Sequence, residues 1–362
     1  MSRLKLLIVM TLGWNATLVV PSPEVRRTSQ LPELSNLQVY NNTLYVGGLD
    51  RLYSFDEDLN VLPSADTCTG PCKLNYNKVL LLNETGQTLM TCGTGNGGIC
   101  ERRQLSNLSS VVHSSSYRDN THIDTLVVST ERNRPAVALM WGTHLFLMAV
   151  TYGANVPVVE VQRYDIDYAY TALALRTDQF NINENISFRS NMRFQIYRKM
   201  LNYIVYYKGV FKYQTYTFLL TNQKTNVGND TFVSKIARLC NFDLTFTTYV
   251  DMELSCESDG AKYNLAQDAN VVKLNGTDYL IASFAINNNP ERVTGAGIIC
   301  TKSLSDLNAD LTRAQVQYVN EYPFKQEERY FETRPSEGFV SRQVFVFNFL
   351  LYTYKNSLEC RK

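Results

Sequence analysis

Histidine is scarce: His113, His122 and His144 are the only three in 362 residues. A His-dependent triad or a zinc enzyme would have to be built from these three. None sits in an HExxH, GxSxG or paired CxxC frame, so they read as loop histidines. Charge of one sign is also lacking. Lys and Arg number 35 against 34 Asp and Glu, a net charge of +1. Such a balance offers nucleic acid no general attraction and sets that partner class aside. Long apolar runs are missing as well. The best candidate after the N-terminus, residues 344–352 (VFVFNFLLY), is about half the length of a membrane-spanning helix. No collagen-like period or low-complexity tract occurs. Acidic pairs such as Asp56/Asp58 and Asp165/Asp167 fall in polar turns, where solvated carboxylates are the ordinary finding. Together these absences predict no enzyme, no metal and no cofactor.

What is present points to strands and to secretion. Tyr (23) and Phe (17) are abundant, and aromatic residues favour strands over helices. Residues 1–20 read as a signal peptide. Arg3 and Lys5 precede a short apolar core at 6–12, and cleavage is expected within 16–24. Asn-x-Ser/Thr sequons at Asn41, Asn83, Asn107, Asn185, Asn229 and Asn275 are candidate glycosylation sites of a secreted chain. Eight cysteines in that compartment imply disulfides. Cys68 and Cys72 flank one turn and Cys92 and Cys100 another. Each pair can close locally, contributing about 2–3 kcal/mol on the chain-entropy model. Cys240, Cys256, Cys300 and Cys360 leave three pairings open.

One pattern repeats: apolar strand, tight polar turn, apolar strand. It occurs at 37–48, 78–92, 136–150, 194–207 and 270–284. The turns carry Asn, Gly, Asp or Thr, which tolerate hairpin conformations. Further strand candidates follow at 51–55, 158–164 and 215–220. Units of about four strands over 40–75 residues are the signature of propeller blades. One short helix is expected at 303–310, capped by Ser305 or Asp306. Gly93, Gly95 and Gly98 match GxGxxG. A dinucleotide site needs a helix next, but the run after Cys100 has no helix face. A glycine-rich hairpin tip stapled by a disulfide is expected instead.

Several of these stretches resemble the plexin family. NYNKVLLLNETGQTLMTCGTGNGGICERR (75–103) resembles the first-blade segment of plexin sema domains, and NNTLYVGGLDRLYSFDEDLNVL (41–62) resembles their opening strands. TFVSKIARLCNFDLTFTTYVDMELSC (231–256), YNLAQDANVVK (263–273) and GAGIICTKSLSDLNADL (295–311) resemble downstream plexin motifs. The resemblance runs from about Leu37 to about Arg313. It implies an all-β, sema-type seven-bladed propeller, here incomplete with about five blades, spanning residues 31–340. Residues 341–362 match no family motif and are expected to be foreign to the fold. The resemblance implies pairs Cys68–Cys72, Cys92–Cys100 and Cys256–Cys300. Cys240 then needs a later cysteine, and Cys360 is the one left.

The implied function is the ligand-binding part of a semaphorin receptor, a recognition domain whose partner is a semaphorin, with other plexin-like chains as further partners. The implied location is extracellular, with membrane attachment only through a part of the receptor not contained here. A secreted semaphorin-like ligand and a soluble decoy receptor are the alternatives. Ligand contacts are expected from loops of the third and fourth blades, near 152–157 and 176–185, with Asp178 and Phe180 as candidate contacts and the packing of Phe180 on its own blade as the favoured alternative. An aromatic in a polar loop can anchor an interface.

Overall fold

The computed structural model describes residues 33–68, 74–98, 100–115, 127–151, 171–181, 183–185, 188–189, 191–195, 205–225, 231–241, 243–244, 246, 248–286, 290, 296–321 and 339–341. Five antiparallel sheets follow one another along the chain. The first holds β1 (Leu34–Tyr40), β2 (Thr43–Gly48), β3 (Arg51–Phe55) and β4 (Val61–Asp66). The second holds β5 (Asn77–Asn83), β6 (Thr88–Gly93), β7 (Cys100–Gln104) and β8 (Asn107–Ser114). The third is built from β9 (Ala136–Met140), β10 (Leu145–Thr151) and β11 (Thr171–Thr177), a small hairpin β12 (Glu184–Asn185) and β13 (Phe188–Arg189) lying to one side, and β14 (Asn191–Gln195). The fourth holds β15 (Tyr206–Tyr213), β16 (Tyr216–Lys224), β17 (Phe232–Cys240) and β18 (Val250–Leu254). A hairpin, β19 (Cys256–Ser258) and β20 (Ala261–Tyr263), leads to the fifth, with β21 (Leu265–Leu274), β22 (Thr277–Ala285) and β23 (Gly297–Ser303). Helix α1 (Leu304–Glu321) follows, and β24 (Phe339–Ser341) adds to the edge of the third sheet beside β14.

The sheets are arranged as blades around an axis. The first strands β1, β5, β9, β15 and β21 touch in series. Their side-chain bonds advance in step: Ser35 donates to the Asn77 carbonyl at 3.0 Å and Gln38 to that of Leu80 at 3.1 Å. Lys78 likewise donates to the Arg134 carbonyl at 2.9 Å and Asn83 to that of Thr143 at 2.8 Å. Neighbouring inner strands therefore run parallel, although every pairing within a sheet is antiparallel.

The continuous apolar runs mark strands covered on both faces. β6 and β17 are buried along their whole length, and β16 at all but its last residue. Between sheets two and three, Val79, Leu81 and Met90 meet Phe146, Met148 and Val150. Between three and four, Trp141, Leu147 and Leu175 meet Tyr207, Leu219 and Leu239. Between four and five, Phe218, Leu220 and Ile236 meet Leu280, Ala282 and Phe284, and α1 adds Leu304, Leu307 and Leu311. Outside these seams Leu37 and Val39 on β1, and Ile299 on β23, stand 65–71% exposed.

Sequence expectations differ from the fold in three places. Residues 194–197 and 203–207 do not pair with each other: Phe194 and Gln195 end the third sheet, and Tyr206 opens the fourth. The apolar pattern marked both strands, but spacing alone did not show that a blade boundary falls between them. The helix is 18 residues long rather than eight, and its cap is Ser303, whose Oγ accepts from the Asp306 N–H at 3.1 Å. Arg238 holds it down, donating to Asn308, Thr312 and Gln315 at 2.7–3.0 Å. The hairpin at Cys256–Tyr263 carried too few apolar residues to be noticed. The signal segment 1–20, the strand expected at 158–164, the loop at 152–157 and His122 lie outside the described residues.

Candidate functional site

The expected contact loop after β11 serves a different purpose. Phe180 is only 2% exposed and takes a left-handed φ of 69°. Its ring meets Phe146 edge-on at 6.1 Å and stacks on His113 at 5.8 Å. Arg176 donates to its carbonyl at 2.7 Å. Phe180 therefore plugs the seam between sheets two and three and is not a surface contact. Asp178 is ion-paired with Arg102 of β7 and lies 3.3 Å from His144 Nδ1, leaving its side chain 22% exposed. Both residues tie the third blade to the second. An aromatic among polar loop residues fits a plug as well as an anchor, and the sequence alone did not separate them.

The other end of the first three blades is heavily braced. Cys92 and Cys100 are bonded across β6 and β7, and the glycine run makes the short turn between them. A Cβ on Gly93 would lie 1.9 Å from Asn75 Oδ1, and one on Gly98, at φ +85°, 2.3 Å from the Val128 carbonyl. The glycines admit close neighbours here, in a disulfide-stapled hairpin tip and not a phosphate cradle. Asn75 fastens three connections together. Its Nδ2 donates to Thr67 O at 2.9 Å, its Oδ1 accepts from Gly95 N at 2.9 Å, and its own N–H reaches Asp50 Oδ1 at 2.6 Å.

Beside this brace, the Arg132 guanidinium lies 4.4 Å over the Tyr76 ring and donates to Glu33 at 2.7 Å. Lys78 donates to the carbonyls of Arg132 and Arg134. Burial, reinforced by the Arg132 charge, lowers its ammonium to about 8. Exposed side chains on this end include Leu74 at 49%, Arg132 at 61%, and the Arg51–Asp66 pair.

The sequons divide by burial. Asn41, Asn107 and Asn275 are exposed. Asn83 is not: it is 4% exposed, its Nδ2 donates to Thr143 O at 2.8 Å and its Oδ1 accepts from Gly86 at 3.0 Å. The nitrogen that would carry a sugar is spent holding the β9–β10 turn, which speaks against Asn83 as an acceptor. Nothing is described of the Asn185 side chain, and Asn229 lies outside the described residues. Cys256 is bonded to Cys300, and no cysteine among the described residues is free. Cys68 and Cys240 are also oxidised, whereas Cys72 and Cys360 lie outside the described residues. Among the described residues no helix is long and apolar enough to cross a membrane, and no three His, Cys, Asp or Glu side chains gather as metal ligands.

Parallel inner strands and antiparallel blades of three to five strands define a β-propeller, and solved structures share its sema-type fold. The full extracellular region of plexin A4 superposes with a TM-score of 0.63 at 20% identity, covering 79% of this chain and 36% of that one. Drosophila plexin A in complex with semaphorin 1b gives 0.54 at 13% identity, covering 76% and 52%. Drosophila semaphorin 1a gives 0.53 at 14% identity, covering 77% and 54%. No family model matches the sequence. Among curated proteins the chain is plexin-like over most of its length. It is 25% identical to plexin A3 of Danio rerio over 68% of the chain, and 25% identical to plexin-B2 of Mus musculus over 62%. It spans 15% and 13% of the length of those two relatives.

Proposed function

We propose that this chain is the recognition domain of a semaphorin-receptor-like ectodomain and that it binds a semaphorin by protein–protein contact. The supporting observation is the joint one: plexins are its relatives in sequence, and a plexin solved with a semaphorin shares its fold. Its action is recognition and not catalysis. A semaphorin bound on one face biases how receptor chains associate, through differential affinity for two arrangements. The cysteine and sequon content supports an extracellular location, with residues 1–20 as its leader and residues 31–340 as its propeller.

The test is surface plasmon resonance of the secreted, glycosylated chain against immobilised extracellular regions of semaphorins. Saturable binding to at least one, absent with an unrelated propeller, is expected. Failure to bind any semaphorin, in a preparation that melts cooperatively, overturns the reading.

A further inference from the structure

Among the sequon asparagines whose side chains are described, Asn83 alone is buried. It ends β5, on the strand face that carries Val79 and Leu81 into the seam between blades two and three. Its two amide atoms are engaged differently. Oδ1 accepts from the Gly86 N–H at 3.0 Å, three positions on, a bond the turn makes by itself. Nδ2 donates to the Thr143 carbonyl at 2.8 Å, 60 positions on, across the blade boundary. Space is as tight as the bonding: a Cβ on Gly86 would meet Asn83 Nδ2 at 3.1 Å. A bulky, hydrated sugar on that nitrogen has no room once the seam is closed.

The order of synthesis makes this matter. N-linked sugar is attached to the extended chain as it enters the secretory pathway, before the chain folds. The sequon Asn83–Glu84–Thr85 is complete well before Thr143 exists. The 60 intervening positions take about 3–12 s to synthesise. During that interval the acceptor is present and its lock is not. A chain modified then holds Nδ2 outside the seam, the β9–β10 turn loses its tether, and the apolar faces that carry Leu81 and Phe146 stay apart. We infer that Asn83 is a conditional modification site, at which an N-linked sugar and the closed seam between blades two and three exclude each other. Sugar at Asn83 thus keeps the chain open, and burial of Asn83 keeps it unmodified. The switch goes beyond the recognition reading and rests only on entry into the secretory pathway.

The test uses the full chain made in secreting animal cells. Limited trypsin digestion separates protease-resistant from protease-sensitive molecules. Release of the sugars in heavy-oxygen water leaves a labelled Asp at each occupied site, which peptide mapping reads. Asn83 is expected to be unmodified in the resistant fraction and occupied in the sensitive one, with Asn41, Asn107 and Asn275 occupied alike in both. Thr85 is exposed, so Thr85→Ala removes the sequon and leaves both Asn83 bonds in place. This variant is expected to enlarge the resistant share by the amount of Asn83-modified chain it eliminates. Asn83→Ala removes sequon and bonds together and is expected to give no such gain. An occupied Asn83 in resistant chains overturns the switch. So does an unmodified Asn83 in both fractions, or a resistant share unchanged by Thr85→Ala. In each case sugar at the exposed sequons leaves the extracellular reading standing. No sugar at any site removes both.

Discussion

Phe180 offers the sharpest perturbation of the fold. Its ring is buried to 2% between Phe146 and His113, on a backbone at φ 69°. Truncation to alanine removes a buried aromatic, which costs about 3–5 kcal/mol when the cavity cannot collapse. Alanine keeps the left-handed strain of about 1 kcal/mol, whereas glycine relieves it. Phe180→Gly should therefore be more stable than Phe180→Ala by roughly 1 kcal/mol, although glycine is usually the worse substitution. Both should melt roughly 6–15 °C below the parent in calorimetry. Semaphorin affinity should change little at a temperature where both remain folded. An unchanged melting temperature with lost binding would refute the plug and restore Phe180 as a ligand contact.

Other consequences are equally direct. Gly98→Ala, at φ +85° and against the Val128 carbonyl, should cost more than 2 kcal/mol in denaturant unfolding and disturb the stapled turn; a loss below about 0.5 kcal/mol would contradict the close approach. Lys78 has a folded pKa of about 8, below its ordinary 10.5, so the unfolded chain holds the proton more tightly between those values. The parent should therefore gain stability as pH rises from about 8 to 10.5, and Lys78→Met should flatten that slope; identical slopes would refute it. Cys240 is oxidised, and only Cys72 and Cys360 remain as partners outside the described residues. Cys68 is oxidised too and stands four positions before Cys72 in the chain, so a local Cys68–Cys72 bond leaves Cys360 for Cys240. Non-reducing peptide mapping should thus find Cys240 joined to Cys360, and a Cys72–Cys240 peptide would refute this. Leu37→Ser with Ile299→Ser should reduce light scattering by the isolated chain, since both residues are at least 66% exposed on outward sheet faces; unchanged scattering would show that association arises elsewhere.

The blades were legible in the sequence because their strands are covered on both faces. Runs such as residues 145–150 and 79–82 leave no polar face to confuse the reading. Positive φ at Asn41, Asn42 and Asn275 explains why Asn-rich pairs marked the hairpins so clearly. The seams were not legible. Phe180 and Asn83 look like surface residues in a polar context, and only the third dimension places one against Phe146 and the other under the β9–β10 turn. The length of α1 was hidden for a similar reason. Its polar residues Asn308, Thr312 and Gln315 are bound by the buried Arg238, a partner 70–77 positions away in the chain. The tail after Ser341, read as foreign, carries Cys360 and lies outside the described residues.

Hydrogen exchange of the glycosylated chain, with and without the extracellular region of a semaphorin, tests the recognition claim most directly. Protection of a contiguous set of exposed loops is the expected result. Unchanged exchange at saturating semaphorin would contradict the account.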